Sequence, residues 1–466
     1  MDFRLNIAES TAHPAQALEV YREMGPALDA VRSALDQSKV DALLRLLGNS
    51  NFLARWARRY PEKAAEALVG DLSVPLEPSA LLAEFRGVLG AHAPVDRETL
   101  AKVLFDRKYR HLFRISLRDV GLGKPFREIV AEFSALARGV VQSALEWHME
   151  ELCRDFGRPR LGDGTAENPF SVLAMGKLGG DELNFSSDID LIYFYGSDEG
   201  GVEGPAPLGP HEYFAKLAER LSSFLQKKSH DGFLYRVDLE LRPEGKAGTL
   251  VNSLDAMEAY YESFGADWEK QAMIRASLCA GDAGLCAEFL RRIHPFVYPK
   301  LRDFGFLKRL GEMKAKIHDS IRKRTLQTFH LKLGEGGIRE VEFFVQSLQL
   351  LFGGQNPALQ VPNTLEALPR LREAGLIEAG EEDALRRAYV FLRTMEHRLQ
   401  LPEEQQAHQL PDSPEELAGL ARRMGYAEAD PRAAVDHMLS ELETHRHVVQ
   451  TIFRGLLADR FEVAEG

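Results

Sequence analysis

Two aspartates one residue apart open an apolar run near the middle of the chain: Asp188 and Asp190 in DIDLIYFY. Side chains alternate along a β-strand, so residues i and i+2 lie on one face about 7 Å apart and their carboxylates can reach one cation. Asp238, in the later segment LYRVDLELRP, can supply a third carboxylate from a neighbouring strand. Such oxygen ligands favour Mg²⁺, with Mn²⁺ as the alternative, and suit in-line phosphoryl displacement. We therefore predict that these three aspartates are catalytic metal ligands.

A glycine-rich stretch, GKLGG at residues 176–180, precedes the first two aspartates. Because glycine lets backbone N–H groups approach phosphate oxygens, Gly179 and Gly180, together with Ser187, are predicted to bind phosphate or nucleotide. The stretch is not a P-loop, since Leu178 stands where that motif requires Ser or Thr. A D-x-D or a glycine pair alone is more often structural, so the prediction depends on their order along the chain.

Three basic side chains are further candidates for phosphate contacts. Arg242 and Lys246 follow the third apolar segment and can reach toward its end. Arg339 lies at a glycine-rich helix start, where backbone N–H groups attract anions. Each of these residues fits an ordinary ion pair equally well, and Arg339 has Glu335 and Glu342 as candidate partners. Both interpretations therefore stay open for all three.

The elements that must position these residues form a small mixed sheet between two helical regions. Helices are predicted up to about residue 157, with one long amphipathic helix over 126–157. Apolar strands are predicted at 169–176, 188–195 and 234–243, with a helix from His211 between the last two, and helices resume at about Met257, interrupted at 281–284 and 332–340. We expect an α+β fold with three parts: an N-terminal helical region (1–157), the catalytic core (158–300) and a C-terminal helical bundle (301–466).

Composition and charge exclude several functional classes. The 58 basic and 70 acidic residues give a net charge of −12, which disfavours a nucleic-acid surface, and the basic stretch 308–324 is interpreted as a solvated helix face. The three cysteines lack C-x-x-C spacing for zinc. No apolar segment is long enough to cross a membrane, and the first residues do not resemble a secretory signal. A cytoplasmic protein without membrane or nucleic-acid partners is expected.

The order of these motifs resembles a known superfamily. GG followed by SDIDL and then VDLELRP is similar to the DNA polymerase beta-like nucleotidyltransferases, and this resemblance implies a core of that fold. Four separated stretches, spanning residues 174–354, resemble more narrowly the glutamine synthetase adenylyltransferase and adenylyl-removing enzyme family: AMGKLGGDELNFSSDIDLIYFY, YRVDLELRPEGKAGTLVNS, YYESFGADWEKQAMIRA and KLGEGGIREVEFFVQSLQLLFGG.

This resemblance implies a reaction and its partners. The motif GGIREVEF (residues 336–343) is similar to the N-terminal, adenylyl-removing half of that family, whereas the other half usually has threonine and aspartate where Arg339 and Glu340 stand. The implied reaction is phosphorolysis of AMP from a tyrosine of glutamine synthetase, with Mg²⁺ as cofactor, phosphate as reactant and ADP as product. The PII signalling protein is implied as a regulatory partner.

The sequence departs from the family pattern at one position, and three rival functions are compatible with it. Glu240 stands where the family usually has arginine, and it either joins the metal ligands or repels an anionic substrate. The rivals are adenylylation of glutamine synthetase from ATP, a small-molecule nucleotidyltransferase, and a non-catalytic regulatory module. The small-molecule enzyme would not need such extensive helical flanks, and the three intact aspartates argue against the regulatory module.

Overall fold

A computed structural model describes residues 3–92, 95–162, 164, 166–204, 208–229, 232–300 and 329–462. The predicted α+β class is confirmed: a small mixed sheet has helices before and after it. The basic stretch 308–324, and with it the start of the third predicted part, lies outside the described residues. Among the described residues, no helix is both long and apolar enough to cross a membrane.

Helices make up the described residues before the sheet. They are α1 (Phe3–Glu9), α2 (Pro14–Glu23), α3 (Gly25–Ala30), α4 (Gln37–Asn49), α5 (Asn51–Arg59), α6 (Pro61–Glu66), α7 (Pro78–Ala91), α8 (Arg97–Ser116) and α9 (Phe126–Phe156), with a 3₁₀ turn at Arg32–Ala34 and a π-helical turn at Leu117–Gly121. The long helix predicted over 126–157 is α9. It ends where Gly157 takes a φ of +101°, a conformation that favours glycine.

The sheet region contains nine short strands and five helices among the described residues. The strands are β1 (Arg158–Leu161), β2 (Phe170–Ala174), β3 (Ile189–Tyr195), β4 (Gly200–Glu203), β5 (Lys228–Ser229), β6 (Gly232–Phe233), β7 (Val237–Asp238), β8 (Val251–Ser253) and β9 (Ser277–Gly281). The helices are α10 (Gly176–Gly179), α11 (Pro210–Leu225), α12 (Leu254–Phe264), α13 (Asp267–Met273) and α14 (Ala283–Val297), with a 3₁₀ turn at Gly245–Ala247.

Strand β3 is the centre of the main sheet, which has five strands. One edge of β3 pairs with β2 in antiparallel orientation, and β2 in turn pairs with β9. The other edge pairs in parallel with two short strands, β7 beside the start of β3 and β8 beside its end. Two small antiparallel pairs, β1 with β4 and β5 with β6, lie outside this sheet.

The chain after the sheet is again helical. Its helices are α15 (Ile338–Phe352), α16 (Thr364–Glu373), α17 (Ala379–Gln400), α18 (Pro414–Met424) and α19 (Pro431–Glu462), with a 3₁₀ turn at Pro357–Leu359. Asn363 caps α16 by accepting the N–H of Glu366, and Ser413 caps α18 through the N–H of Glu416.

Two apolar cores lie on opposite faces of the main sheet, because side chains alternate along its buried strands. One core joins the sheet to the N-terminal helices and α11; it includes Val172, Ala174, Ile189, Leu191, Tyr193 and Tyr195. The other core joins the sheet to α12, α14 and the C-terminal helices; it includes Leu173, Met175, Ile192 and Phe194. Both faces of β2 and β3 are therefore buried, as their continuous apolar runs predict.

Two strand predictions were wrong. The third strand was expected over 234–243, but only Val237–Asp238 pairs with β3, because the Asp238 carboxylate accepts the N–H of Glu240 at 2.8 Å and turns the chain. Residues 277–280 were expected within a helical region, yet together with Gly281 they form β9 on the edge of β2. That segment, SLCAG, is too short and too weakly patterned to be distinguished from a helix by its sequence.

Candidate active site

Asp190 and Asp238 are direct neighbours in the sheet. Strands β3 and β7 run parallel with Ile189 opposite Val237 and Asp190 opposite Asp238. Asp188 lies one residue before β3, on the same side of the strand as Asp190. The structure therefore brings the three predicted metal ligands to the same end of the sheet.

The pKa of Asp190 reflects its position beside the other two carboxylates. The pKa of Asp190 is raised to about 6, mainly by burial and then by the negative charges of Asp238 and Asp188, against the opposing effect of Lys332 and Lys177. A carboxylate that is buried beside two others is stabilised by a cation. The donor set thus fits a hard divalent ion, and Asp190 and Asp238 are the residues that would hold it.

Asp188 takes a different partner in this structure. Its carboxylate accepts a hydrogen bond from Nε of Arg236, whose guanidinium also donates to the Ser186 carbonyl at 2.6 Å and lies over the Phe233 ring. In the part of the chain that the structure describes, no three His, Cys, Asp or Glu side chains form a ready metal-binding group. The contact with Arg236 therefore occupies Oδ1 of Asp188.

The glycine-rich stretch packs against Asp190 and against its own neighbours. Gly176 takes a φ of +55°, and a Cβ there would lie 2.3 Å from Oδ2 of Asp190, so only glycine lets this carboxylate approach. The N–H groups of Gly179 and Gly180 donate to the carbonyls of Met175 and Gly176. A Cβ on Gly179 would lie 1.8 Å from the Arg275 carbonyl oxygen. Packing therefore accounts for these glycines, and their contact with phosphate stays a prediction.

Ser187 has an unused hydroxyl next to Asp188. Its Oγ is buried and has no hydrogen-bond partner among the described residues. A buried hydroxyl without a partner is costly unless a ligand or water completes it. This geometry is compatible with the predicted phosphate or nucleotide contact, which stays a prediction.

Arg242 and Lys246 are already engaged in contacts within the chain. The Arg242 guanidinium donates to four backbone carbonyls, those of Leu239, Lys246, Gly248 and Thr249, and so holds the turn between β7 and β8. Lys246 is exposed and pairs with Glu240 at 2.7 Å. Glu240 is directed to this surface pair, so the structure gives it no part in holding an ion. Of the two interpretations of Lys246, the structure shows the ion pair.

A cleft of about 420 Å³ lies beside the glycine-rich stretch. Gly176, Trp268, Gln271, Lys332 and Arg339 contribute to its wall. Neither Lys332 nor Arg339 has a side-chain hydrogen bond or ion pair with any described residue. The N–H of Arg339 donates to the Lys332 carbonyl at 3.1 Å, which closes the glycine-rich turn between them and brings both cations to the cleft.

Sequence reasoning found Arg339 but missed Lys332. Lys332 begins the stretch KLGEGGIRE, and its position before a glycine-rich turn was the available signal. The ion pairs considered for Arg339 with Glu335 and Glu342 are not formed. Glu342 instead faces Arg275 at 3.1 Å. Two basic side chains that line one cleft and form no ion pair with the described residues are suited to bind a phosphate or another oxyanion.

A network of buried charged side chains lies next to the cleft. Arg275 on the segment after α13 pairs with Glu182 at 3.2 Å and with Glu342, and the Tyr389 hydroxyl donates to both of these carboxylates. Lys177 pairs with Glu396 of α17 at 2.8 Å. Arg275 and Glu342 also line the cleft, and their ion pair fixes part of its wall.

Comparison with known proteins gives the family. The model of the glutamate-ammonia ligase adenylyltransferase family matches residues 40–292, more than half of the chain, including all three aspartates. The chain belongs to this family. A second family model, that of the PII-uridylyltransferases, matches residues 311–457.

Three relatives within the adenylyltransferase family show how far the similarity extends. Each is a bifunctional glutamine synthetase adenylyltransferase/adenylyl-removing enzyme. The one from Thioalkalivibrio sulfidiphilus is 38% identical over 90% of this chain and 42% of its own length. Those from Hahella chejuensis and Nitrosococcus oceani are 35% and 37% identical over 98% and 92% of this chain, and over 46% and 44% of their own lengths. The chain therefore spans less than half the length of these relatives.

Proposed function

We propose that this chain removes AMP from an adenylylated tyrosine of glutamine synthetase by phosphorolysis, in which phosphate takes up the AMP and ADP is released. The observation that carries the proposal is the cleft beside Asp190, where the side chains of Lys332 and Arg339 form no ion pair within the part of the chain that the structure describes. Two basic side chains in a cleft next to the carboxylates of Asp190 and Asp238 suit a reaction between a phosphate anion and a nucleotidyl group. The names of the relatives support glutamine synthetase as the protein substrate.

The proposed reaction exchanges one phosphorus–oxygen bond for another. A phosphate oxygen forms a bond to the AMP phosphorus, and the bond from that phosphorus to the tyrosine oxygen breaks. The tyrosine oxygen leaves with the bonding electron pair and takes a proton from solvent. Because such transfer depends on alignment and charge neutralisation, it needs no dedicated acid or base.

Each part of the site has a role in this scheme. Lys332 and Arg339 hold the incoming phosphate, and the partly exposed indole of Trp268 offers an aromatic face to the adenine. Asp190 and Asp238 would hold a divalent ion, Mg²⁺ or Mn²⁺. When bound, that ion neutralises charge on the phosphate oxygens.

The identity of residue 339 favours removal over addition of AMP. Phosphate is a reactant only in removal, and the motif that contains Arg339 resembles the removing half of the family. Arg339 lines the cleft and forms no ion pair with any described residue, which leaves its guanidinium available to a phosphate. The C-terminal helices are proposed to position the large protein substrate, with PII as a regulatory partner.

The test uses glutamine synthetase that carries labelled AMP on its tyrosine, incubated with this chain, Mg²⁺ and phosphate. We expect labelled ADP to appear only when phosphate is present. Asp190→Asn should reduce release at least 100-fold, since it removes a charge that alignment and neutralisation both require. Asp255→Asn, at an exposed surface pair, is the matched control and should keep full release. Transfer of label from ATP to unmodified glutamine synthetase, without phosphate-dependent release, would overturn the proposed direction.

A further inference from the structure

One face of α17 forms hydrogen bonds with a segment of five residues that precedes Asp188. We call Glu182–Ser186 the lead-in segment. The four side chains of this face are fully or almost fully buried and recur at intervals of three and four residues, so they lie on one stripe of the helix: Arg393, Glu396, His397 and Gln400. Each of them makes a hydrogen bond to the lead-in segment.

The contacts proceed in order along both elements. Arg393 donates to the Glu182 carbonyl at 2.5 Å and to Oδ1 of Asn184 at 2.9 Å, and the Asn184 amide donates to Glu396 at 2.6 Å. The N–H of Phe185 donates to Nδ1 of His397 at 3.3 Å. The N–H of Ser186 donates to Oε1 of Gln400 at 3.1 Å.

The two backbone contacts set the path of the chain into the site. Phe185 and Ser186 lie outside the sheet, and side chains of α17 take the place of the carbonyl partners that a strand would supply. Asp188 follows two residues later. The same helix holds the other side of the site through Glu396 and Lys177, which adjoins Gly176 and hence Asp190.

The C-terminal end of α17 is also anchored to the N-terminal region. Arg398 donates to both oxygens of Asp119 in the N-terminal region, and Nε2 of His397 lies 3.2 Å from the same carboxylate. The helix therefore has a fixed position relative to the rest of the molecule. A helix fixed in this way can impose its geometry on the segment that it contacts.

We propose that Gln400 is a positioning residue: by holding the Ser186 N–H it sets the approach of the chain to Asp188 and Asp190 and thus the geometry of the catalytic carboxylates. This inference rests on the proposed function for its kinetic readout. A misplacement of about 1 Å in such a site lowers turnover by about 100-fold.

The test compares Gln400→Met with Gln349→Met. Both variants replace a buried glutamine that hydrogen-bonds backbone by an unbranched side chain of similar length, and Gln349 binds carbonyls of Leu359 and Val361, away from the lead-in segment. We expect Gln400→Met to lower kcat for AMP release 10- to 100-fold with KM for phosphate nearly unchanged. Gln349→Met should keep kcat, although both variants lose stability.

Two measurements separate this proposal from the proposed function. Hydrogen exchange reports the Ser186 amide directly, and a Mn²⁺ titration reports the carboxylates, both without turnover. Faster exchange at Ser186 together with at least tenfold weaker Mn²⁺ binding in Gln400→Met supports positioning even if the wild-type chain releases no AMP. Wild-type values of exchange, Mn²⁺ binding and kcat in Gln400→Met would overturn it, as would an equal loss of kcat in Gln349→Met.

Discussion

Gly176 shows how a single backbone position can decide the geometry of a carboxylate. Its positive φ would strain any other residue, and its missing Cβ leaves the space that Oδ2 of Asp190 occupies. We therefore expect Gly176→Ala to displace this carboxylate and to reduce AMP release at least tenfold, with a loss of about 1 kcal/mol in the free energy of unfolding.

Gly375→Ala is the matched control for this prediction. Gly375 also has a positive φ, of +68°, but a Cβ there would meet no atom within 4 Å. It should show the same loss of stability with full activity. Equal activity of the two variants would mean that the contact with Asp190 has no functional consequence.

Lys332 provides a second prediction at the level of single residues. Hydrogen bonds to charged groups contribute about 1.5–3 kcal/mol, so Lys332→Met should raise KM for phosphate by about 10- to 100-fold. The KM for adenylylated glutamine synthetase should change much less. Lys102→Met, at an exposed pair with Glu98 on α8, is the control that should leave both constants unchanged. An unchanged KM for phosphate in Lys332→Met would remove this residue from the site.

The site residues differ in how far sequence could predict them. The spacing of Asp188 and Asp190 by itself predicts that they lie on one face of a strand, and they do so in the structure. The contacts of Arg242 and Lys332 depend on the conformation of irregular turns. No local sequence pattern predicts those contacts. Arg242 was therefore considered as a phosphate contact or an ion-pair partner, whereas its guanidinium binds backbone carbonyls, and Lys332 was missed.

Helices and strands were predicted well where apolar residues follow one regular pattern over a whole segment. Helices α9, α11 and α17 follow their apolar stripes, and β2 and β3 follow their continuous apolar runs. The third strand was predicted too long, because a single side-chain hydrogen bond from Glu240 N–H to Asp238 overrides the alternation of LYRVDLELRP. The polar stripe of α17 was also missed, since buried polar side chains cannot be told from exposed ones without their partners.

His148 makes a pH-dependent prediction for α9. The imidazole is buried among Trp147, Phe224 and Glu151, and burial lowers the pKa of His148 to about 4, helped by the charges of Arg97 and Arg220 and opposed by Glu151. The unfolded chain binds a proton at this residue below about pH 6.5, whereas the folded chain does not until about pH 4. Its contribution to stability is therefore complete above pH 6.5 and falls as the pH decreases to 4.

Urea unfolding at two pH values measures this contribution. Between about pH 7 and about pH 5, the wild-type free energy of unfolding should fall by about 2 kcal/mol more than that of His148→Gln. His437→Gln, on an exposed part of α19, is the control and should show the wild-type change. Parallel pH profiles for wild type and His148→Gln would contradict the assignment of a neutral buried imidazole.

At the scale of the molecule, the sheet connects regions that the sequence separates. The predicted boundaries at 157 and 300 follow changes in pattern along the chain, and these changes mark where elements begin. They do not mark where the cores divide, because alternate residues of β2 and β3 belong to different cores. The buried pair of Asp119 and Arg398 joins the N-terminal helices to α17 as well.

Shared strands predict that both cores unfold together. Loss of either core exposes one face of β2 and β3 and so removes the surface on which the other core packs. The three tryptophans can report this: Trp56 and Trp147 pack in or against the N-terminal core, and Trp268 lies on α13 beside the other core. We expect Trp268→Phe and the double variant Trp56→Phe/Trp147→Phe to give coincident fluorescence transitions in urea. Two separate midpoints, each matched by a step in circular dichroism, would instead show that the predicted parts 1–157 and 158–300 unfold independently. In that case, a sheet that is buried on both faces would not be enough to couple the unfolding of the two cores.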